Sequence, residues 1–382
     1  MKILHLCLSA FFIDNYSYQE NILAKYHAKQ GHDVTVIASL FTFNTSGRGV
    51  FLSQPAEYQD KNGFKVMRLA YKKPIRWNRL FRHYIGLDEA LERISPDLIF
   101  SHCVSFGDAT IVKHYLYQHP NVVFYADNHT DYVNSAKNWL SKYILHPLVW
   151  RYYAKQLEPF MKKCWGVTPL RCRFLKEMYH INPNLIGFLP MGVDDESIPI
   201  DRKRVYDTIR KELGVREEDI LVFTGGKIDR LKNTHVLIES LVKLNDEHLH
   251  LVICGILTDE MDYLKELING NHQIHYLGWC DAERVMNCMV ASDIACFPGT
   301  HSTLWEQTVG VGLPIICKHW DGMDHVNING NCRFINGEDV TELSEMLKEL
   351  TQKEMLQSVT QLAVQASSLF LYSNISKKAI GE

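Results

Sequence analysis

The sequence has no strong excess of either charge and no long apolar run. Its 382 residues carry 41 Lys and Arg against 44 Asp and Glu, a formal net charge of −3. This balance argues against a dedicated nucleic-acid-binding protein, so no nucleic acid is expected among its partners. No window of about 18 apolar residues is present, which argues against a membrane-spanning helix. The hydrophobic fraction of 46% excludes a disordered or collagen-like chain.

Several short motifs are also missing. The ten cysteines include no C-x-x-C pair, and most lie within apolar runs such as HLVICGI, which is typical of buried free thiols in a reducing compartment. No H-E-x-x-H or other metal-ligand spacing is present, so we expect neither a metal nor another cofactor. The apolar start, MKILHLCLSAFFI, is not followed by a small-residue cleavage site. It therefore predicts an internal strand and a cytoplasmic protein.

Short apolar runs alternate with helical patterns along the whole chain. The first unit of this pattern is a strand, a helix and a strand: KILHLCL, SYQENILAKYHAKQ and HDVTVIAS. This order predicts a βαβ unit, which implies a parallel sheet. The pattern restarts after a polar linker that begins at Gly192, with DILVFTGG, LHLVICG, IHYLG, IACFPG and LPIICK as strands. The sequence thus predicts an α/β protein with domains over 1–191 and 192–360. A C-terminal helix over 361–382 is expected to return to the first domain.

Two motifs in the second half have the residue types that a diphosphate requires. The strand DILVFT ends in Gly225-Gly226, and Lys227 and Lys232 follow closely. Glycine lets backbone amides approach a ligand, and two cations would compensate its charge. The alternative is an ordinary turn with solvated lysines. The G-x-G-x-x-G and Walker A spacings are absent.

The segment from Pro298 to Pro314, PGTHSTLWEQTVGVGLP, lies between two strands. It predicts a helix that begins near Ser302 or Thr303, and such a helix N-terminus binds anions. Glu306 lies within the first turn, where it would accept hydrogen bonds from ribose hydroxyls. Alternatively, Glu306 only complements the helix dipole.

Two further segments in the first half carry polar or charged groups that suit a ligand site. Asp127-Asn128-His129-Thr130-Asp131 follows the strand NVVFYA, where polar groups face a ligand cleft. His129 would contact a reacting sugar, with Asp127 or Asp131 orienting it or accepting a proton; turn capping is the alternative. Residues 72–85 interleave five cations with aromatic and aliphatic residues. They suit an anionic membrane surface, a basic loop around an anionic acceptor, or a helix with its aromatics in the core. The stretch 137–155 has a similar mixture.

These motifs, in this order, resemble the retaining GT-B glycosyltransferases of the large family 4-like group that builds polysaccharides and glycolipids. The resemblance runs from GHDVTV and PDLIFSH through LPMGVDD, GGKIDRLKN, IHYLGW and WEQTVGVGLP to NGNCRFINGEDV. It implies a GT-B fold, in which two Rossmann-like domains face each other across a cleft. The N-terminal domain would bind the acceptor and the C-terminal domain the nucleotide sugar.

The resemblance also implies roles for single positions. Catalytic roles fall on His129, Lys227, Lys232 and Glu306. Donor-binding roles fall on Gly225, Gly226, Gly278, Trp279, Cys280, His301, Ser302, Thr303 and Gln307. Acceptor-side roles fall on Asn15, Tyr16, Ser17, Asp127 and Asp131.

The sequence departs from the family pattern at three places. Pro298 occupies the position of the first glutamate of the E-x₇-E motif, and His301-Ser302-Thr303 takes its place near the sugar hydroxyls. The spacing from Glu306 to Pro314 is one residue longer than usual, so Gln307 is an alternative ribose contact. The first loop lacks the usual Gly-Gly.

The sequence therefore predicts a metal-independent, retaining glycosyltransferase. Its donor would be a nucleoside-diphosphate sugar, with a UDP-sugar favoured. Its acceptor would be a glycan or lipid-linked glycan in bacterial polysaccharide, capsule or cell-surface glycan biosynthesis, at the inner face of the plasma membrane. The alternatives are another GT-B enzyme, such as a nucleotide-sugar epimerase, or a non-catalytic nucleotide- or glycan-binding protein.

Overall fold

The structure is a computed structural model that describes residues 1–44 and 48–382. The chain forms two compact units: Met1–Pro190 together with Ile375–Glu382, and Met191–Asn374. Each unit contains a parallel sheet with helices between its strands, as expected for alternating apolar runs and helical patterns. None of the helices in the described ranges combines the length and apolar character needed to cross a bilayer.

The first unit is built around an eight-stranded sheet. Its strands, with the short hairpin β3–β4, are β1 Lys2–Cys7, β2 Asp33–Ser39, β3 Phe41–Phe43, β4 Gly49–Phe51, β5 Ala56–Gln59, β6 Lys65–Leu69, β7 Leu98–Ser101, β8 Val123–Asn128, β9 Met161–Gly166 and β10 Ile186–Phe188. The sheet order is β10-β9-β8-β7-β1-β2-β6-β5, and only β5 pairs antiparallel to its neighbour. The order reverses at β1, so side chains beyond the carboxyl ends of β1, β7 and β8 line a natural ligand site.

The helices of this unit cover both faces of the sheet. They are α1 Gln19–Lys29, α2 Ile75–Phe81, α3 Leu87–Ile94, α4 Ala109–Gln118, α5 Arg151–Leu157 and α6 Pro169–Glu177. A ten-residue π-helix, Ser141–Trp150, precedes α5 and contains Pro147. The core between these elements is apolar, and β1 buries five of its six residues.

The second unit contains a six-stranded, wholly parallel sheet. Its helices and strands are α7 Arg202–Leu213, β11 Ile220–Gly225, α8 Thr234–Leu244, β12 Leu249–Cys254, α9 Leu264–Asn269, β13 Ile274–Gly278, α10 Ala282–Val290, β14 Ile294–Phe297, α11 Leu304–Val311, β15 Ile315–Lys318, β16 Cys332–Ile335, α12 Val340–Leu350 and α13 Lys353–Ser367. The order is β13-β12-β11-β14-β15-β16, so the reversal lies between β11 and β14. The motifs that carry Lys227 and Glu306 follow these two strands.

The C-terminal segment differs from the sequence-based prediction. In place of a single helix over 361–382, α13 ends at Ser367 and a new helix, α14, covers Tyr372–Ala379. The break occurs because the backbone of Phe370 and Tyr372 pairs with Val193, at 2.9 and 3.1 Å. The last eight residues, Ile375–Glu382, cluster with the first unit.

Candidate active site

In the first unit, His129 lies just beyond β8, beside a buried carboxylate. Its Nε2 lies 3.3 Å from Asp127 Oδ2, and its side chain is 23% exposed. Asp127 is fully buried, and its Oδ1 accepts a hydrogen bond from the Cys103 amide at 2.9 Å. His102 Nδ1 lies 2.9 Å from the other carboxylate oxygen. Asp127 therefore faces His129 and is itself held from two sides.

The charges of this group shift its protonation equilibria. Burial alone would raise the pKa of Asp127, but His129 and His102 outweigh it and lower that pKa well below its usual range. Burial would lower the pKa of His129, but the Asp127 carboxylate more than offsets this, so the pKa of His129 is raised. The pair thus favours a carboxylate beside a cationic imidazole.

Asp131 serves the local turn. Its Oδ1 accepts hydrogen bonds from the amides of Val133 and Asn134, at 2.8 and 2.7 Å. Its Oδ2 forms an ion pair with Arg171 at 3.0 Å. These contacts match the turn-capping alternative for Asp131. Of the two aspartates in the motif, it is Asp127 that lies beside His129.

The loop after β1 presents aromatic side chains. Asn15 has a φ of 65°, and Tyr16 and Ser17 are exposed. Tyr16 stacks on Tyr18, with ring centroids 5.4 Å apart, and meets Phe43 edge-on. Where related loops carry Gly-Gly, this chain therefore offers an aromatic surface and hydroxyl groups.

In the second unit, the glycines after β11 lie in tightly packed backbone. Gly226 has a φ of 102°, a conformation that side chains rarely adopt, and its amide donates to Cys254 O at 2.9 Å. A Cβ on Gly255 would lie 1.8 Å from Gly226 O, and the Gly255 amide donates to Gly278 O at 2.7 Å. The ends of β11, β12 and β13 therefore interlock through three glycines.

The two lysines of this loop differ in their surroundings. The Lys227 side chain is 69% exposed, and its ammonium group lies 3.7 Å from Asp229. Lys232 Nζ donates to the carbonyl oxygens of Thr300 and His301, at 2.9 and 3.1 Å. Burial lowers the pKa of Lys232. Lys232 thus ties the first donor motif to the second and keeps one N–H for a ligand.

The second motif forms α11, which begins at Leu304 with Thr303 before it. Glu306 is fully buried in the first turn. Its Oε1 accepts hydrogen bonds from Nε2 of His301 and Nε2 of His325, both at 2.8 Å. Its Oε2 is buried and has no hydrogen-bond partner in the described part of the chain. Gln307, the alternative ribose contact, is only half-buried.

The histidines also set the charge of Glu306. Burial would raise its pKa, but His301 and His325 outweigh this and lower the pKa well below its usual range. Glu306 is therefore an ionised, buried acceptor with one oxygen left over.

The turn after β13 carries the remaining predicted donor residues. Gly278 has a φ of 66°, and Trp279 is 72% exposed. Cys280 Sγ lies 3.6 Å from Gly278 O and is half-buried. The exposed indole offers a flat apolar face next to this turn.

Two sets of side chains in the described ranges bring metal-ligating atoms within 4.8 Å of one another: Glu20, His102 and His129, and His301, Glu306 and His325. Hydrogen bonds within the protein already engage His102 in the first set and all three residues of the second. The nitrogens of His102 bond to His5 and Asp127, and both histidines of the second set donate to Glu306. We assign no metal to either set, and the expectation of a metal-independent reaction stays a prediction.

Sequence reasoning missed three residues that shape these sites. Gly255 and Gly299 allow close backbone contacts, since a Cβ on Gly299 would lie 2.3 Å from Leu231 O. Both follow a strand as a single glycine, a signal that was available in the sequence. His325 lies in a loop far along the chain from Glu306, and no local pattern pointed to it.

Comparison with known families explains why these residues occur together. The family model described as "Glycosyltransferase Family 4" matches residues 22–197, and the model described as "Glycosyl transferases group 1" matches residues 205–366. The two matches follow each other along the chain and cover most of both units. The chain belongs to the GT-B glycosyltransferases of the family 4-like type.

This glycosyltransferase has distant relatives of known name. It is 22% identical over 191 residues to the D-inositol 3-phosphate glycosyltransferase of Corynebacterium jeikeium, an alignment that covers 46% of each chain. It is 18% identical over 222 residues to that of Corynebacterium urealyticum, which covers 54% of this chain and 52% of the relative. The chain thus spans about half the length of the curated relatives it matches.

Solved structures resemble the whole chain. A glycosyltransferase from Rickettsia africae has a TM-score of 0.66 at 16% identity, with 100% of this chain and 99% of that chain covered. HepE of Anabaena, in complex with UDP, has a TM-score of 0.68 at 15% identity, with 99% and 98% covered. At such identities the likeness concerns the fold. The predicted α/β class, with two Rossmann-like domains of the GT-B type, is confirmed.

Proposed function

We propose that this protein transfers a sugar from a nucleoside-diphosphate sugar, with a UDP-sugar favoured, to a glycan or lipid-linked glycan, with retention of anomeric configuration. The bond between the anomeric carbon and the diphosphate oxygen breaks, and a bond from the acceptor hydroxyl oxygen forms on the same face. The hydroxyl proton passes to the departing diphosphate oxygen. With such an acceptor, the reaction would belong to bacterial polysaccharide or cell-surface glycan synthesis.

The observation that carries this proposal is the donor-side arrangement in the second unit. Lys227 projects into solvent beside the turn at Gly226, and Lys232 keeps an N–H for a phosphate oxygen. The N-terminus of α11 follows, and Glu306 Oε2 is a buried acceptor without a hydrogen-bond partner among the described residues. These are a diphosphate site and a ribose acceptor on one unit, and they would stabilise charge on the leaving group without a metal.

HepE, which shares this fold, binds UDP, and UDP with glucose, in its crystal structures. This supports a UDP-sugar as the first donor to test. Trp279 is exposed where a base would stack. Glu306 Oε2 is a better ribose acceptor than the half-buried Gln307 because no residue in the ranges 1–44 and 48–382 bonds to it. On the acceptor side, His129 would contact the transferred sugar while Asp127 holds its Nε2.

Donor binding is tested by thermal unfolding of the protein with a panel of nucleoside diphosphates, without added metal. A ligand at 100 times its Kd adds about 2.7 kcal/mol of stability. We expect a shift with UDP that falls to about half in Lys232→Ala at the same UDP concentration, because losing a charge-assisted hydrogen bond of about 1.5 kcal/mol raises the Kd roughly tenfold. Lys243→Ala is the matched control, because Lys243 is exposed and its Nζ donates to Thr341 Oγ1 on the surface.

Turnover separates the proposed reaction from its alternatives. The UDP-sugar that binds best is incubated with and without glycan acceptors. Product from the donor alone would indicate an epimerase, and binding without any turnover would indicate a non-catalytic protein. A full UDP shift in Lys232→Ala would contradict the diphosphate site.

A further inference from the structure

A row of three histidines crosses the interior of the first unit and ends at Asp127. His27 Nε2 lies 2.9 Å from the carbonyl oxygen of Ser376, and His27 Nδ1 lies 3.0 Å from His5 Nε2. His5 Nδ1 lies 3.0 Å from His102 Nε2, and His102 Nδ1 lies 2.9 Å from Asp127 Oδ2. All three rings are fully buried. Four hydrogen bonds therefore connect the backbone carbonyl of Ser376, in α14, to the Asp127 carboxylate that faces His129.

Counting protons along this row fixes its charge. A carbonyl and a carboxylate only accept, so the nitrogen at each end of the row must carry a proton. Each of the two bonds between rings needs one proton more. The three rings thus hold four protons, whereas three neutral imidazoles hold three. The row carries one positive charge, which balances Asp127.

The position of that charge follows from its surroundings. The Asp127 carboxylate lies next to His102 and attracts a cation most strongly there. Burial lowers the pKa of His5 well below its usual value and lowers that of His27 to about 4. Neutral His27 then donates from Nε2 to Ser376, and neutral His5 donates from Nε2 to His27. His102 is left to donate from both nitrogens.

We propose that His102 is a buried imidazolium that positions His129: held by His5 and His27, it keeps Asp127 ionised and oriented, and Asp127 holds His129 at the acceptor site. Asp127 Oδ2 is shared between His102 at 2.9 Å and His129 at 3.3 Å. The proposal rests on the proposed function only where it assigns His129 to the site. The net charge of the row stands on the hydrogen bonds, and its place on His102 stands on the adjacent Asp127 carboxylate and on the burial of His5 and His27.

Other ionisable groups surround this row. Glu20, on α1, brings a carboxylate oxygen within 4.8 Å of ring nitrogens of both His102 and His129. Arg171, on α6, pairs with Asp131 and opposes a charge on His129. The further neighbours are His32, Arg68, Arg82 and the thiols of Cys7, Cys103 and Cys164. Burial raises the pKa of these thiols, so they stay uncharged near neutral pH.

The charge of His102 is read directly by nuclear magnetic resonance of ¹⁵N-histidine-labelled full-length protein between pH 5 and 9. We expect both nitrogens of His102 to show the protonated shift throughout, and His5 and His27 to be neutral with the proton on Nε2. A neutral His102 at pH 7 would overturn the proposal. This measurement needs no variant and no substrate.

The positioning role is tested with His102→Asn, whose amide can still donate to Asp127 but carries no charge. A unit charge within about 5 Å of His129 disappears, so the pKa of His129 should rise by about one pH unit or more. The matched control is His250→Asn in the second unit, where His250 Nδ1 lies 3.1 Å from His275 Nε2. This substitution also removes one ring of a histidine pair, and it should leave the pKa of His129 unchanged. An unshifted His129 in folded His102→Asn would contradict positioning.

Turnover supplies the last comparison. In His102→Asn, the pH profile of kcat/KM should move to higher pH by the same amount as the His129 titration, with the KM for the donor unchanged. If the His129 titration moves but no donor is turned over even by the unaltered protein, the proposed function fails while the role of His102 stands.

Discussion

At the scale of single residues, the histidine–carboxylate groups of the two units share one logic. A buried carboxylate is costly unless it is paired and hydrogen-bonded. Asp127 meets this need with His102, His129 and the Cys103 amide, and Glu306 meets it with His301 and His325. In Asp127 the oxygen that His102 holds also faces His129, whereas in Glu306 the histidines hold one oxygen and the other is left for a ligand.

Glu306→Gln should destabilise the protein in a pH-dependent way. The folded-state pKa of Glu306 lies below its unfolded value of about 4.3, so its contribution is present above that pH and is lost as the pH falls through the folded pKa. We expect a loss of about 1–3 kcal/mol at pH 7, which shrinks below about pH 4. Urea unfolding from pH 7 to 3.5 measures it.

Glu345→Gln is the matched control for this prediction, because Glu345 is exposed on α12. Its unfolding free energy should differ from that of the unaltered protein by less than about 0.5 kcal/mol. A deficit in Glu306→Gln that keeps the same size from pH 7 to pH 3.5 would contradict the ionised, paired state of Glu306.

At the scale of elements, the donor-side loops depend on backbone contacts. Hydrogen bonds join the turn at 230–233 to the loop that precedes α11. They are donated by the Lys232 ammonium group, the Thr300 amide and the Asn233 side chain. Gly299 permits this contact, and Gly255 permits the approach of the loops after β11 and β12. The phosphate-binding geometry that we propose is therefore a product of two loops locked together.

Gly255→Ala should disturb this lock. Its Cβ would overlap the carbonyl oxygen of Gly226, which is backbone and cannot rotate away. We expect a loss of about 1–3 kcal/mol of stability, the usual cost of overpacking, together with weaker UDP binding. Thermal unfolding with and without UDP measures both quantities.

Gly337→Ala provides the comparison for Gly255→Ala. The nearest atom to a Cβ there is the Glu342 carboxylate at 3.7 Å, an ordinary contact, so neither stability nor UDP binding should fall appreciably. Equal effects of the two substitutions would show that the close approach at Gly255 is unimportant.

At the scale of the whole molecule, charge is unevenly distributed along the chain. Residues 72–85 and 132–157 hold nine of the 41 Lys and Arg and none of the 44 Asp and Glu. In the first unit the two segments meet where Arg82 lies 4.9 Å from the Trp150 ring. The two segments also contain Trp77 and Trp139, whose surfaces are 59% and 67% exposed. We propose that this basic, aromatic surface binds an anionic membrane that holds a lipid-linked acceptor.

The structure refines the residues of this surface. Helix α2 covers only Ile75–Phe81 and has no buried residue, so its aromatics do not all face the core as one alternative required. Arg82, however, points inward and donates to the Ser9 hydroxyl at 2.8 Å and to the Ser105 carbonyl. The exposed cations of the segment that remain for lipid are Lys73, Arg76 and Arg79.

Replacing Lys73, Arg76 and Arg79 together by alanine should weaken binding to vesicles of anionic phospholipid. Three cations contribute about 3 kcal/mol, so affinity should fall on the order of a hundredfold at low salt. Sedimentation with the vesicles measures it. Lys203, Lys243 and Lys265, replaced in the same way, form the control on the second unit. Equal binding by both triple variants would dispose of the membrane surface.

Much of the fold could be predicted from the sequence, and the reason is local. Runs such as KILHLC and LHLVIC are apolar over the length of a strand, and they alternate with helical periods, which dictates parallel sheets. The short strands β3, β4 and β5 were missed because they span only three or four residues, most of which are at least partly exposed. β16, with the sequence CRFI, was missed because it is only four residues long and directly follows the polar segment NINGN.

The candidate site divides in the same way. Gly226, Lys232, Glu306 and His129 were visible in the sequence because each follows a strand, where parallel sheets place polar groups. Their partners were not visible: His325 reaches Glu306, and His102 reaches Asp127, across 19 and 25 positions of the chain. The sequence by itself determined the layered fold and the edge at which polar residues gather, since both depend on short-range patterns. Only the tertiary structure decided which side chains share a proton or a charge, because that depends on distances that folding creates between remote segments.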